Sequence, residues 1–449
     1  MLLVVVLLLC VLFIIISTAR FGLHPFLSLL IATLLFGLLA GMPFSSITGA
    51  INNGFGSTLG HIGIVIVLGT IIGKFLEQSG GALALAEAIL KKIGQRAVPL
   101  AMAITGYVVS IPVFADSGFI ILSSLNRALS SKAGISLAGP AIALSVGLLA
   151  SHTMVPPTPG PVAAAGIVGA DLGLLLLYGI PASLAGLFGG WLFATKVAAR
   201  VAVSPEATTD AATQPARTMP AGQYQPAAFH AFLPILLPIL LIVLKSVLSI
   251  PGLRAEESAL TSMASFLGTP VIALLAGLLV ALTLPHKLDK HMLSASGWTG
   301  QALSEAAIII LITGAGGAFG KALQASGIAE VLSEVVSGSQ MGIWLPFLIA
   351  AAIKTAQGSS TVAIVTTASI IAPLASSIGF GNETGKVLLV LAIGAGSSVV
   401  SHANDSFFWV VTQMSGLSVK QGYQLQSTGT LALGLSAAVV LWFMSWLIV

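Results

Sequence analysis

The run SHTMVPPTPGP, Ser151–Pro161, lies between two apolar stretches, AIALSVGLLA before it and VAAAGIVGA after it. Pro156, Pro157, Pro159 and Pro161 have no backbone N–H and disrupt a helix. Gly160 opens dihedrals and close approaches closed to other residues. If the flanking stretches cross a bilayer, a polar run without helical hydrogen bonds is tolerated at that depth only inside protein or against a water-filled cavity. The segment is therefore expected to be a break in a membrane helix that lines a cavity. The other reading is an external turn, since Pro and Gly are ordinary turn formers.

Composition favours the membrane. Of 449 residues, 56% are hydrophobic and 7% are charged, against about 25% charged in a soluble domain. So few charges cannot cover a soluble surface, and an all-α polytopic membrane protein is expected. The net charge of +4 comes from basic residues in short loops, so no nucleic-acid partner is implied. The single cysteine, Cys10, excludes an internal disulfide and a Cys-based metal site; no metal and no cofactor are expected. The opening MLLVVVLLLCVLFIII lacks a basic n-region and is followed at once by more spans, so it reads as a first transmembrane helix rather than a signal peptide.

Apolar windows long enough to cross lie at 2–18, 23–41, 61–78, 98–115, 138–155, 172–195, 230–250, 267–285, 304–324, 342–356, 386–400 and 427–449. Shorter apolar pieces at 118–129, 161–170, 361–378 and 406–414 read as arms of re-entrant hairpins or halves of broken helices. Basic residues concentrate in loops 91–96, 196–229 and 286–291 and are absent from 42–60 and 325–341. The positive-inside rule then puts the basic loops in the cytoplasm and both termini outside. The Pro-, Ala- and Thr-rich segment 203–226 has the composition of a flexible linker.

The chain also repeats itself. GKFLEQSG begins at Gly73 and GKALQASG at Gly320; SHTMVPPTPG begins at Ser151 and SHANDSFFW at Ser401. The basic KKIGQR that follows the first GKxLxxSG has SEVVSGSQ, without a basic residue, as its counterpart. That contrast predicts halves of opposite orientation, 1–195 and 230–449, joined by a cytoplasmic linker at 196–229; a direct duplication is the alternative. Inverted repeats with broken helices point to a secondary transporter whose site lies between the repeats near the midplane.

Three further polar runs interrupt apolar sequence: PVFADSGF from Pro112, KTAQGSSTVA from Lys354 and SHANDSFFW from Ser401. With Ser151–Pro161 they form two pairs under the repeat, and their chemistry suits a small anion carrying hydroxyl groups. Exposed N–H groups at half-helix N-termini favour a carboxylate, and Gly358, Ser359, Ser360 and Thr361 would form such a tip. Side-chain hydroxyls, Gln357 and Asn404 exchange hydrogen bonds with substrate hydroxyls. The expected binding set is Asp116, Ser117, Gly118, Ser151, His152, Pro157, Thr158, Gly160, Thr355, Gln357, Gly358, Ser359, Ser360, Thr361, His402 and Asn404. Lys354 either supplies a positive charge or snorkels or pairs with an acid. Asp116, Asp405, His152 and His402 are the candidates for proton coupling, because intramembrane ionisable groups mark ion pathways, although each histidine also fits a structural role. Lys74 and Glu77, three apart, are expected to pair.

On GKFLEQSGG, VFADSGFIIL, SHTMVPPTPGPVAAAG, KTAQGSSTVA and SHANDSFFW, the chain resembles the gluconate permease (Gnt) family of sugar-acid transporters over essentially its whole length. The resemblance implies a bacterial inner-membrane protein of two inverted repeats, each with a re-entrant helical hairpin. It further implies symport of gluconate or a related acid with protons, a homodimer and an elevator-type motion. Two departures fall at the expected site. Asp116 is followed by Ser117 where many members have valine, and Thr158 stands where many have the histidine of PPHPGP. They widen the expected substrate to three- to six-carbon hydroxy acids.

Three alternatives stand beside this reading. A sodium-coupled carboxylate transporter would hold the cation with carbonyls and hydroxyls at the breaks. An intramembrane hydrolase would use Ser359 or Ser360 as nucleophile with His402 as base. A channel would conduct without saturating. The two broken halves favour alternating access, and no enzyme is expected.

Overall fold

The computed structural model describes residues 2–93, 97–205, 225–248, 259–328, 331 and 341–448. It is helical throughout, with no strand among the described residues. In chain order the helices are α1 (Leu2–Ala19), α2 (Pro25–Leu39), α3 (Phe44–Gln78), α4 (Gly81–Ile93), α5 (Val98–Val109), α6 (Ala115–Lys132), α7 (Ala138–Met154), α8 (Pro159–Val168) and α9 (Leu172–Lys196). There follow α10 (Ala228–Leu248), α11 (Ala259–Leu267), α12 (Pro270–Ala281), α13 (Trp298–Ala325), α14 (Trp344–Gln357), α15 (Ser360–Ile371), α16 (Glu383–Ser398) and α17 (Ser406–Met414). A short α18 (Val419–Gly422) runs through a π-turn at Tyr423–Ser427 into α19 (Thr428–Ile448).

Two helices organise the rest. All residues of α7 are buried, although its sequence is apolar on every side; a helix hydrophobic all round belongs in a protein interior or a membrane. Glu383 and Lys386 open α16, and from Val387 to Ser398 every residue is buried. α7 packs against α16, α5 and α9, and α16 against α14. Around this centre α3 packs along α13, with Phe75 of α3 edge-on to Trp298 of α13 at 5.2 Å, and Phe36 of α2 meets Phe319 of α13 edge-on at 6.2 Å. Large apolar side chains face outward on α1, α9, α12 and α19, among them Leu8, Phe188, Leu279, Trp442 and Trp446. Six helices among the described residues are long and apolar enough to cross a bilayer, or seven with the bent pair α11–α12 counted as one. With the composition, this makes the chain a polytopic membrane protein.

Several sequence expectations need correction. The stretch 42–60, expected as a loop, is the first half of α3, a 35-residue helix. It is about 52 Å long, well beyond the ~30 Å hydrocarbon core. Its Asn, Gly and Ser residues lowered the hydropathy without breaking the helix. Windows 98–115, 342–356 and 386–400 were expected to cross. They contain helices of 12, 14 and 16 residues, too short to span alone. The first two are the leading arms of helical hairpins whose second arms are α6 and α15; the third is the leading half of a broken helix completed by α17. The window 267–285 is bent by 69° between α11 and α12, with Pro270 opening the second helix.

The short pieces read as 161–170 and 406–414 are α8 and α17, as expected. The start of the 203–226 segment is not free. Leu137 N–H donates to the Val203 carbonyl at 3.0 Å, and Val203 N–H to Ser136 Oγ at 3.0 Å. Residues 206–224, SEVVSGSQ, residues 249–258 and the Gly94–Arg96 part of the basic loop lie outside the described residues.

Candidate functional site

The four interruptions are built by local sequence. In the first hairpin, α5 stops at Val109 and the Ser110 hydroxyl donates to the Val113 carbonyl at 2.9 Å, closing a turn around Pro112. α6 then starts at Ala115 with Asp116 in its first turn, where a carboxylate complements the helix dipole. In the second hairpin, α14 ends at Gly358, whose φ of 92° is left-handed. A Cβ there would sit 2.0 Å from the Asn404 carbonyl oxygen, so only glycine fits. Ser359 caps α15, its Oγ accepting from Val362 N–H at 3.3 Å. Gln357 folds back, its amide donating to the Ser359 carbonyl at 2.7 Å.

The first broken helix is interrupted at Val155–Thr158 between α7 and α8, with a cis Pro156–Pro157 bond. Thr158 Oγ1 donates to the Val155 carbonyl at 2.5 Å. The second is interrupted at Val399–Asp405. There the β-branched Val400 has a φ of 50°, a strained backbone position for such a residue. Asp405 caps α17, accepting from Phe407 N–H at 3.1 Å. The same carboxylate accepts from Ser401 Oγ at 2.5 Å and pairs with Lys354 Nζ at 2.7 Å. Lys354 also donates to the Gly358 carbonyl. Of the two readings for Lys354, pairing with an acid describes its contacts: it is 1% exposed and joins the second hairpin to the second break.

These interruptions meet. Ser406 Oγ donates to Asp116 Oδ1 at 3.4 Å, and Phe119 stacks edge-on against Phe407 at 6.1 Å, so the first hairpin tip touches the start of α17. His402 Nε2–H and Asn404 Nδ2–H both donate to the Thr355 carbonyl at 2.8 Å, tying the second break to the second tip. Pro157, Thr158 and Pro159 share a small cleft with Pro112, Phe114 and His152. Consequently the N-termini of α6, α8, α15 and α17 all begin at this junction. Lys354 and Asp405 offset each other, whereas Asp116, in the first turn of α6, has among the described residues only the Ser406 hydroxyl as a side-chain partner.

The expected binding residues fall into two tiers. Asp116, Ser117, Gln357, Ser359, Ser360, Thr361 and His402 are half-buried, and Thr355 and Asn404 are exposed. Pro157 is half-buried and edges the cleft. Gly118, Ser151, His152, Thr158, Gly160 and Gly358 are buried behind them. Within that tier, Ser151 Oγ lies 3.4 Å from the Leu148 carbonyl of its own helix, and Gly118 and Gly160 stand where a Cβ would meet Leu148 and Ile364. His152 is buried with Nδ1 unpartnered among the described residues, its ring 5.9 Å from Phe114.

Sequence reasoning missed Ser406 and Ser401 as contributors, although both stand in SHANDSFFW. It also missed Gly73, against which the Pro112 carbonyl rests; a Cβ would meet that oxygen at 2.0 Å. The arrangement gives no support to a nucleophile–base pair. Ser359 Oγ caps a helix, His402 Nε2 is held by Thr355, and no hydrogen bond joins Ser359 or Ser360 to His402 among the described residues.

Comparison with known proteins bears on the same chain. The model of the GntP permease family matches residues 1–448. A gluconate permease of Pseudomonas aeruginosa is 36% identical over 413 residues, 91% of this chain and 90% of its own length. The D-serine transporter DsdX of Escherichia coli K12 is 31% identical over 447 residues, 98% of each chain. Among solved structures, the Alcanivorax borkumensis YdaH transporter superposes with a TM-score of 0.67 over 93% of this chain and 97% of its own, at 15% identity. At that identity the likeness concerns the fold alone.

Proposed function

The chain belongs to the GntP permease family, and from that premise we propose that it imports a small hydroxy-carboxylate, gluconate or a related three- to six-carbon sugar acid, by symport with protons. The observation that carries the proposal is the meeting of the interruptions at one junction: Ser406 at the start of α17 touches Asp116 of α6, the start of α8 shares a cleft with Pro112 and Phe114, and Gly358 before α15 lies against Asn404. A carboxylate anion gains from the N–H ends of these helices. Ser117, Gln357, Ser360, Thr361 and Asn404 offer donors and acceptors for its hydroxyls. The gluconate permease relative supports the substrate class.

In this proposal Asp116 is the coupling residue. Its partner is a neutral hydroxyl, whereas Asp405 is already held by a buried lysine. Protonating Asp116 removes a charge from the loaded site before it crosses the low-dielectric layer. The two hairpins and two broken helices would move together as an elevator, against a scaffold containing α1, α2 and α10–α12. They would form two inverted repeats, 1–195 and 230–449, in a homodimer of the bacterial inner membrane with both termini outside.

The test is uptake of radiolabelled D-gluconate into proteoliposomes holding the purified protein. An inward proton gradient should drive accumulation above equilibrium in the absence of sodium, and unlabelled short sugar acids should compete. D-serine, the substrate named for the DsdX relative, belongs among the competitors. Competition by D-serine alone would reassign the substrate to a hydroxylated amino acid. Accumulation that needs sodium and ignores pH would reassign the coupling ion.

A further inference from the structure

The two GKxLxxSG copies meet different fates where α3 and α13 cross. In the first, Lys74 is buried and pairs with Glu77 at 3.2 Å and with Glu305 of α13 at 2.6 Å. In the second, the residue in the place of Glu77 is Gln324, and Lys321 Nζ donates to its amide oxygen at 2.9 Å. The offset that takes Gly73 to Gly320 also takes Thr58 to Glu305, so the second acid of the triad is replaced by a hydroxyl. Among the described residues no carboxylate pairs with Lys321. Where the first copy has two glutamates, the second has a cavity of about 290 Å³. Ser57, Thr58, His61, Lys321 and Gln324 line it, and among the described residues no acidic side chain does; Lys321 is exposed at its mouth.

We infer that this cavity is a second anion site, distinct from the junction of the four breaks, which holds a small carboxylate where the first copy holds its own glutamates. The Lys321 ammonium faces this polar cavity with no carboxylate partner among the described residues, and such a charge favours a mobile anion beside it. His61 Nδ1 is bound to the Ser57 carbonyl at 2.6 Å, which leaves Nε2 of the neutral ring as an acceptor for a hydroxyl of a hydroxy acid. Gly166–Val168 at the end of α8 and Ala372 and Pro373 after α15 complete the lining. The site thus suits the proposed substrate class, but its assignment rests on Lys321 and the cavity, not on the transport reading.

The experiment measures the reactivity of the Lys321 amine in the purified full-length protein by reductive methylation and mass spectrometry. The probes are sodium acetate, sodium D-gluconate and sodium chloride at equal ionic strength. Acetate and gluconate should slow labelling of Lys321 roughly threefold at twice the dissociation constant and leave exposed Lys92 unchanged. In a Thr58→Glu/Gln324→Glu variant, which rebuilds the triad, labelling should be slow without any added anion and insensitive to acetate. Equal labelling of wild-type Lys321 with and without both carboxylates overturns the inference, as does protection by chloride equal to that by acetate. Protection without gluconate uptake in proteoliposomes would sink the transport reading alone; uptake without protection would sink this one alone.

Discussion

Removing one partner of the Lys354–Asp405 pair should cost far more than removing both. Lys354 is 1% exposed and Asp405 8%, at 2.7 Å. Breaking a buried ion pair from one side typically costs ~3–5 kcal/mol, because the remaining charge is left uncompensated. In Lys354→Met, Asp405 keeps Ser401 Oγ and Phe407 N–H. Hydrogen bonds of that kind recover part of the loss, so ~2–4 kcal/mol is expected. In Asp405→Asn the ammonium keeps, among the described residues, only the Gly358 carbonyl, so the cost should approach the upper end, ~4–5 kcal/mol. The double variant Lys354→Met/Asp405→Asn buries no net charge, and Asn still caps α17; it should lie within ~1–2 kcal/mol of wild type, because an isosteric neutral replacement of a buried pair is often nearly neutral. The assay is reversible unfolding in mixed dodecyl maltoside–SDS micelles, read as a double-mutant cycle. Additivity within ~0.5 kcal/mol would refute the reasoning. It would return Lys354 to the other role open from sequence, a charge held toward the substrate.

Three other variants probe the same junction. Asp116→Asn should abolish proton-driven accumulation of gluconate while leaving counterflow exchange intact; unchanged accumulation removes Asp116 as the coupling residue. Gly358→Ala forces a side chain into a φ of 92° with an oxygen 2.0 Å from its Cβ. It should lose more than the ~1–2 kcal/mol of a left-handed residue alone, visible as a lowered melting temperature and collapsed uptake. Ser359→Ala removes the cap of α15 and should cost ~1 kcal/mol while uptake persists; complete loss of transport with a normal melt would instead make Ser359 a direct ligand.

Much of the site was legible because breaks in membrane helices announce themselves chemically. Pro112, Pro156–Pro161, Gly358 and the polar run at Ser401 stand out from apolar sequence. Each stands at an interruption in the structure or directly borders one. Asp116 and Asp405 were both visible as costly carboxylates, but sequence could not separate them. The distinction depends on Lys354, 51 residues away from Asp405 along the chain, arriving beside one acid and not the other. Likewise sequence could not show that Gly160 lies so close to Ile364 that a Cβ would meet it, or that Ser151 is buried with its hydroxyl turned to its own helix. Window hydropathy also misjudged α3, α5 and α14. It measures apolar content, while helix length depends on where backbone hydrogen bonds stop.

Local chemistry alone, then, determined that this chain lives in a bilayer, that its helices break at four polar places, and which residue types stand there. Apolar content and proline positions act through the nearest few residues and the solvent, so they can be read along the chain. Only the tertiary structure decided that the four breaks meet, that Lys354 is spent on Asp405, and that Lys321 faces a cavity while Lys74 faces two glutamates. Those outcomes depend on charges and carbonyls brought together from distant segments, and Coulomb and hydrogen-bond energies follow distance in space, not separation in sequence.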